Sequence, residues 1–263
     1  MTDPAYEERY CAFVDILGFG DLVKGEASPI RIHALLKQIH APHAGNEERT
    51  KESDFKAQNI SDAVALSTVA ISVGLEHLFY VLEDLATNLL FNGYFVRGAI
   101  AKGNLYHDDK MVFGPALVDA YTLETTIADY PRIMVPRVVF KDAQNVWDKG
   151  YKKHIRQASD GPFHVHVLRQ LEELVNAMNI PGATDTDRLF RSDLVYFTAI
   201  GTQIQKRLRQ AVDRPHHFRK VQWFARYFND CLPHGYKKIP PIKGAGLEPI
   251  FVDDNWKEDD WNC

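Results

Sequence analysis

An acidic residue interrupts the apolar segment near the start of the chain. Residues 10–19 are rich in aromatic and β-branched side chains and lead into Gly-Phe-Gly at positions 18–20, which predicts a buried strand entering a turn. Asp15 falls inside this strand, where an ionised carboxylate is costly to bury unless a cation or a set of hydrogen bonds compensates it. The chain must therefore bring Asp15 to such a partner, or let Asp15 end its strand and cap the turn.

The composition indicates a globular protein of one large domain or two small ones. Of 263 residues, 45% are apolar and 25% charged, and 31 basic side chains stand against 35 acidic ones, with a pI near 6.3. This balance of charges disfavours a nucleic-acid partner.

The chain has no apolar run of about 18 residues and no signal-peptide pattern, so we expect no membrane partner and a cytoplasmic location. Cys11, Cys231 and Cys263 have no CxxC spacing, which predicts neither disulfides nor a cysteine zinc site.

The order of predicted elements is that of a ferredoxin-like core. Two short antiparallel strands are expected within residues 54–67, around a turn that holds Asp62, and residues 40–52 are expected to form a loop or hairpin arm. After residue 142 the spacing becomes helical. We therefore predict an α+β fold, with a core in residues 1–141 and a mainly helical extension in residues 142–263 packed on it. The predicted helices cover residues 29–39, 75–92, 116–125, 165–178, 197–212 and 220–231, and further strands cover residues 94–105 and 131–140.

Asp15 and Asp62 are the first candidate functional residues. The predicted topology places them on neighbouring strands, where their carboxylates can converge. Paired carboxylate oxygens suit a hard divalent cation such as Mg²⁺ or Mn²⁺.

Four sequence blocks resemble class III nucleotidyl cyclases. Residues 13–19 (FVDILGF) and 59–63 (NISDA) resemble the two metal motifs of that family. Residues 96–103 (VRGAIAKG) resemble the strand after its second core helix, and residues 113–124 (FGPALVDAYTLE) resemble a later helical stretch. The blocks occur in the family's order, and the whole chain is most similar to the pyrimidine cyclases of the bacterial Pycsar anti-phage system.

The resemblance implies a two-metal cyclisation of a nucleoside triphosphate, with UTP converted to 3′,5′-cyclic UMP and pyrophosphate. Asp15, Asp62 and the Ile16 carbonyl would hold two Mn²⁺ or Mg²⁺ ions, and the backbone near Gly18 and Phe19 would approach the triphosphate. It also implies a homodimer and a second messenger in anti-phage defence that a separate effector reads. A cytidylate cyclase and a degenerate nucleotide-binding sensor remain alternatives, as does a two-metal polymerase or nuclease, which the acidic pI disfavours.

The chain departs from the family where an Asn and an Arg usually act on the ribose and the developing charge. Val118 and Thr122 occupy those positions. Arg97 is the candidate for the missing catalytic cation, because a charged residue on a covered strand needs a partner. Lys102 and Arg132 are further candidates, and the alternative for Lys102 is an ordinary surface charge.

The same resemblance implies which residues recognise the base. Gln58 and Met111 stand where purine cyclases carry their base-selecting pair. A primary amide both donates and accepts hydrogen bonds, so Gln58 can meet either uracil or cytosine, unless it is simply an exposed polar residue of its strand. Two histidine pairs, His164 with His166 and His216 with His217, are weak metal candidates that lack an evident third ligand.

Overall fold

A computed structural model describes residues 5–25, 28–40, 47–179, 190–233, 236–244 and 247. Its centre is one mixed sheet of short and long strands. The strands are β1 (Glu7–Ile16), β2 (Lys56–Ile60), β3 (Ala63–Val69), β4 (Val96–His107), β5 (Val112–Phe113), β6 (Ile133–Met134), β7 (Ile155–Gln157) and β8 (Phe163–Val165).

Helices cover both faces of this sheet. The longest helix of the N-terminal half packs on it with a mostly apolar buried face, as the period of 3.6 residues requires. The helices are α1 (Phe19–Lys24), α2 (Pro29–His40), α3 (Glu47–Glu52), α4 (Ser72–Phe91), α5 (Pro115–Ile127), α6 (Arg137–Trp147), α7 (Arg169–Met178), α8 (Arg191–Gln210) and α9 (Pro215–Asp230), with a 3₁₀ helix at Asp148–Lys153.

The sheet order is β2-β3-β1-β4-β6-β8-β7, and β5 pairs with β4. The first four of these strands are antiparallel to their neighbours, which is the ferredoxin-like arrangement of two interleaved βαβ units. β6 then adds parallel to β4. The predicted α+β fold with a ferredoxin-like core and a helical C-terminal region is confirmed.

Alternation along β1 separates the two faces of the sheet. Tyr10, Ala12, Val14 and Ile16 lie in the main core, which α4 shares. Cys11 and Phe13 lie in smaller clusters on the other face, which α5 covers. The small side chains of Ala116 and Ala120 form part of the α5 surface in these clusters. Asp15 continues this second series, so its side chain belongs to the α5 face of the sheet.

Several predicted boundaries are wrong. The first strand ends at Ile16, and α1 already begins at Phe19. Residues 47–52, expected as loop or hairpin arm, form α3. The strand expected over residues 131–140 is only β6, because Pro136 is the extended residue from which α6 starts. A short apolar run fits a strand and a buried helix face equally well, and here Val139, Phe140 and Ala143 pack as a helix.

The C-terminal part of the chain contributes to the sheet as well as to the helical layers. The helix expected from residue 165 begins at Arg169, since β7 and β8 extend the sheet before it. Residues from both sides of position 142 also share the main core. The domain boundary at residues 141 and 142 stays a prediction.

The two cysteines within the described ranges are unpaired buried thiols. Burial raises the pKa of Cys11 to about 12, which keeps its thiol protonated at neutral pH. Cys263 lies outside the described residues. In the part of the chain that the structure covers, no helix combines the length and the apolar character needed to cross a membrane.

Candidate active site

The strand register brings the two predicted metal ligands together. Asp15 in β1 lies opposite Ala63 in β3 and opposite Arg97 in β4. Asp62 directly precedes Ala63, in the two-residue turn between β2 and β3, where Ser61 has a positive φ of 60°. Side chains of residues paired across strands share a face, so Asp15 and Arg97 both face α5.

A glutamate that the sequence analysis did not single out completes this cluster. Arg97 Nη2 lies 3.5 Å from Asp15 Oδ2, and Arg97 Nε lies 2.5 Å from Glu124 Oε1. Glu124 belongs to α5 and is only 2% exposed. Its spacing of four and eight residues from the buried Ala120 and Ala116 is the signal that could have found it, because it places a carboxyl group on the buried face of a helix.

Burial and repulsion by neighbouring carboxylates make Asp15 and Glu124 hard to ionise. The pKa of Asp15 is raised to about 7, first by burial and then by the charges of Asp62 and Glu124, while Arg97 and a backbone hydrogen bond from Ile16 act in the opposite direction. Burial also raises the pKa of Glu124. Arg97 is thus outnumbered by the carboxylates around it, and an additional cation would stabilise their ionised forms.

The donor set fits a hard divalent cation that brings ligands of its own. Within the described ranges, no group of three or more His, Cys, Asp or Glu side chains is arranged to hold a metal ion. Two carboxylates and a backbone carbonyl would therefore have to be completed by water or by phosphate oxygens, which is the usual way in which Mg²⁺ is bound.

A cavity of about 450 Å³ opens beside Asp15. One side is formed by the end of β1, by the residues after it and by Arg97 of β4, and the other side comes from the start of α9. The lining residues are Asp15, Leu17, Gly18, Arg97, Arg214, Pro215, His216, His217 and Lys220. The sequence analysis considered His216 and His217 only as a metal pair, and it missed Arg214 and Lys220.

The loop after β1 forms the floor of this cavity. Gly18 has a φ of +79°, which favours glycine, and its carbonyl accepts the backbone hydrogen bond of Leu22 as α1 begins. Phe19 starts α1 and is partly buried against the main core. The Ile16 side chain is buried on the opposite face of β1, so only its backbone could act in the site.

The two residues assigned to base recognition are not brought together. Gln58 in β2 lies opposite Ala65, which lies opposite Phe13, so the half-buried Gln58 shares the face of Asp15. Met111 lies beyond the far end of β4, where its N–H donates to Asp108 Oδ1 and its side chain is 50% exposed. Arg97 stands near the other end of β4, and ten residues of strand span about 33 Å.

Lys102 and Arg132 do not line the cavity. Lys102 Nζ lies 2.9 Å from Asp142 Oδ2, an oxygen that also accepts a hydrogen bond from the Tyr10 hydroxyl. Arg132 makes a two-pronged contact with Asp160, at 2.6 and 2.8 Å, while its guanidinium lies over the Trp223 ring. Both cations are therefore held by carboxylates elsewhere in the molecule.

His164 and His166 are buried side chains of the C-terminal packing. His166 Nδ1 lies 2.5 Å from the Tyr227 hydroxyl, and its Nε2 lies 3.3 Å from Glu172. Burial lowers the pKa of both rings, that of His164 to about 3, and this keeps them neutral. Within the described part of the chain, His164 and His166 do not belong to any group of three or more side chains that could hold a metal ion.

Comparisons with known proteins give likenesses only among solved structures. The chain matches no family model and no curated protein. It is similar to the monomeric guanylyl cyclase domain of the RhoGC fusion protein from the fungus Blastocladiella emersonii, at 16% identity and a TM-score of 0.45, over 62% of this chain and 98% of that one. It is also similar to the adenylyl cyclase CyaB from P. aeruginosa, at 14% identity and a TM-score of 0.41, over 62% and 94%.

A third similar structure is the adenylate/guanylate cyclase/hydrolase from Silicibacter pomeroyi, at 16% identity and a TM-score of 0.40, over 60% of this chain and 95% of that one. The chemistry open to this chain follows from the cluster of Asp15, Asp62, Arg97 and Glu124 and from the cavity beside it.

Proposed function

We propose that the chain is a nucleotidyl cyclase that converts UTP, in preference to CTP, into the 3′,5′-cyclic monophosphate and pyrophosphate. One observation carries the proposal: Asp15, half-buried beside Asp62, lies at the wall of a cavity that also presents basic side chains, and its pKa is raised to about 7. A pair of carboxylates that can bind cations, next to basic groups that can bind anions, suits a metal-bound triphosphate.

Asp15, Asp62 and the Ile16 carbonyl are the proposed ligands of two divalent cations, Mn²⁺ or Mg²⁺. When bound, these ions would lower the pKa of the ribose 3′-hydroxyl and neutralise charge on the phosphates. Their charge would also relieve the repulsion that Asp15 experiences from Asp62 and Glu124.

In the proposed reaction the 3′-hydroxyl gives its proton to solvent water and its oxygen forms a bond to the α-phosphorus, while the bond from that phosphorus to the bridging oxygen breaks and pyrophosphate leaves. Arg97 is the proposed catalytic cation, because its guanidinium lies at the same cavity wall as Asp15. Glu124 would act as a positioning residue that holds Arg97 through their ion pair. Backbone N–H groups near Gly18 and Phe19 are the proposed contacts to the triphosphate.

The distance between Met111 and Asp15 supports the proposed homodimer. If Met111 contacts the base of a nucleotide whose phosphates lie at Asp15, the two residues must come from different copies, because β4 separates them within one chain.

The exposed face of α5 lacks the Asn and Arg that the resembling cyclases carry there. Val118 is apolar, and the Thr122 hydroxyl donates to the Val118 carbonyl.

The further role that we propose is production of a second messenger in anti-phage defence, read by a separate effector. It is supported by the resemblance of the sequence blocks to pyrimidine cyclases.

The purified protein should be incubated with each of the four nucleoside triphosphates and Mn²⁺, and the products identified by mass. We expect cyclic UMP with release of pyrophosphate, and no turnover in EDTA. Cyclic CMP alone would reassign the base, and binding of nucleotide without any product would favour the sensor alternative. If a primed template is added and the protein extends it, the chain is a polymerase and the cyclase proposal is refuted.

A further inference from the structure

One wall of the cavity beside Asp15 comes from the C-terminal part of the chain. The start of α9 stands over the space that β1 and β4 open, so residues far apart in the sequence line one volume. About 450 Å³ lies within the range of small-molecule sites. Apart from Pro215, the side chains on this wall are those of arginine, histidine and lysine.

Lys220 differs from Arg97 in how its charge is balanced. Arg97 is ion-paired with Asp15 and with Glu124. Lys220 is half-buried, and among the described residues it has no direct ion pair. Glu124 and Asp129 attract it only at longer range, and Arg97 repels it. The ammonium group is therefore a cation at the cavity wall whose direct partner must come from the cavity or from solvent.

We propose that Lys220 is a phosphate-binding residue, by which α9 holds the triphosphate of a nucleotide in the cavity of the same chain. The inference rests on the proposed function, in which Asp15 and Asp62 hold cations for that triphosphate. A lysine acts as a compact charge toward phosphate oxygens. Lys220 would thus supply part of the positive charge that Val118 and Thr122 cannot provide, and the C-terminal region would belong to the active site.

The test measures affinity for inorganic tripolyphosphate, with Mn²⁺, by titration calorimetry on the full chain. Lys220→Met should weaken binding about tenfold to a hundredfold, as expected for loss of one charge-assisted contact. Lys220→Arg, which keeps the charge, should stay within about threefold. Arg219→Ala is the matched control, because Arg219 is the exposed neighbour in α9 and does not line the cavity, and we expect less than a twofold change.

Wild-type affinity in a folded Lys220→Met protein would overturn the proposal, and so would a wild-type chain that binds no tripolyphosphate. If Lys220→Met does not fold, Lys220→Gln takes its place in the same titration. The product assay separates this inference from the proposed function. If the wild type cyclises no nucleotide, but Lys220→Met weakens the binding of tripolyphosphate, the cyclase is refuted and the phosphate site is kept. Normal cyclisation with an unchanged KM in Lys220→Met refutes the phosphate site and keeps the cyclase.

Discussion

The two ends of β1 carry charged clusters on the same face of the sheet, and they balance charge in opposite ways. Arg9, at one end, is 1% exposed and donates to Ser67 Oγ at 3.0 Å, to Asp54 Oδ2 at 2.7 Å and to the Asp54 carbonyl. Its carboxylate partners, Glu7 and Asp54, reach solvent. Asp15, six residues or about 20 Å further along, is half-buried and lies beside the buried Glu124.

This difference in charge balance indicates that the Arg9 cluster is a structural ion pair and that the Asp15 cluster is a candidate functional site. At Arg9 each donor finds an acceptor, and solvent screens the excess negative charge. At Asp15 the excess negative charge is desolvated, which raises the pKa of Asp15 to about 7 and leaves a demand for a cation. Protein interiors retain such unbalanced groups where they serve binding or catalysis.

The largest expected effect is at the turn of the β2–β3 hairpin. Asp62→Asn should reduce cyclic nucleotide formation more than a hundredfold, because an amide cannot replace a charged metal ligand of nearly the same size. The assay is product formation with Mn²⁺, with thermal unfolding as the check on folding. Asp119→Asn, which removes an exposed carboxylate from α5, is the control. Retention of more than about a tenth of the rate would refute the metal role of Asp62.

At the opposite end of β1 the expected effect is on stability alone. Arg9→Met removes the donor to Ser67 and the ion pair with Asp54, and it should lower the free energy of unfolding by about 3 kcal/mol. Urea unfolding measures this, with the exposed Arg209→Met as the control. Turnover per folded molecule should be unchanged, and a selective loss of turnover would mean that both ends of β1 serve the reaction.

The pH dependence of stability should distinguish the two ends. Because the pKa of Asp15 is higher in the folded protein than its ordinary value of 3.8, the folded state binds more protons, and stability rises as pH falls from about 7 toward 4. Asp15→Asn should therefore be more stable than the wild type at pH 8 in EDTA, by at most about 4 kcal/mol, and the gain should vanish near pH 4.

Mn²⁺ should stabilise the wild type at pH 8 and should have little effect on Asp15→Asn. Thermal melts of both proteins across this pH range, with and without the ion, make the measurement. A stability difference between the two proteins that does not depend on pH would contradict the raised pKa of Asp15.

The smallest expected effect concerns the base. Gln58→Glu and Gln58→Lys change the donors and acceptors of a half-buried side chain on the face of Asp15, and they should shift the ratio of UTP to CTP turnover about tenfold. Asn59→Ala, at the next and exposed position of β2, should leave the ratio unchanged. An equal loss with both nucleotides would place Gln58 outside base recognition.

Local patterns in the sequence determined the framework of the site. The apolar strand that carries Asp15, the tight turn that carries Asp62 and the amphipathic α4 follow from residue periodicity and turn chemistry, which act over a few neighbouring residues. The βαββαβ order then sufficed to predict that the strand of Asp15 lies next to the hairpin whose turn carries Asp62. The same local reasoning failed at residues 131–140, where a short apolar run was compatible with two structures.

Only the tertiary structure decided how the charges are distributed. The pairing of Arg97 with Glu124, the diversion of Lys102 to Asp142 and the approach of Lys220 to the cavity all join residues far apart in the chain. Periodicity carries no information on such contacts, because it specifies which face of an element is buried and not which charge it meets. The sequence alone therefore determined that Asp15 needs a partner, and the packing of α5 and α9 against the sheet decided which groups surround it.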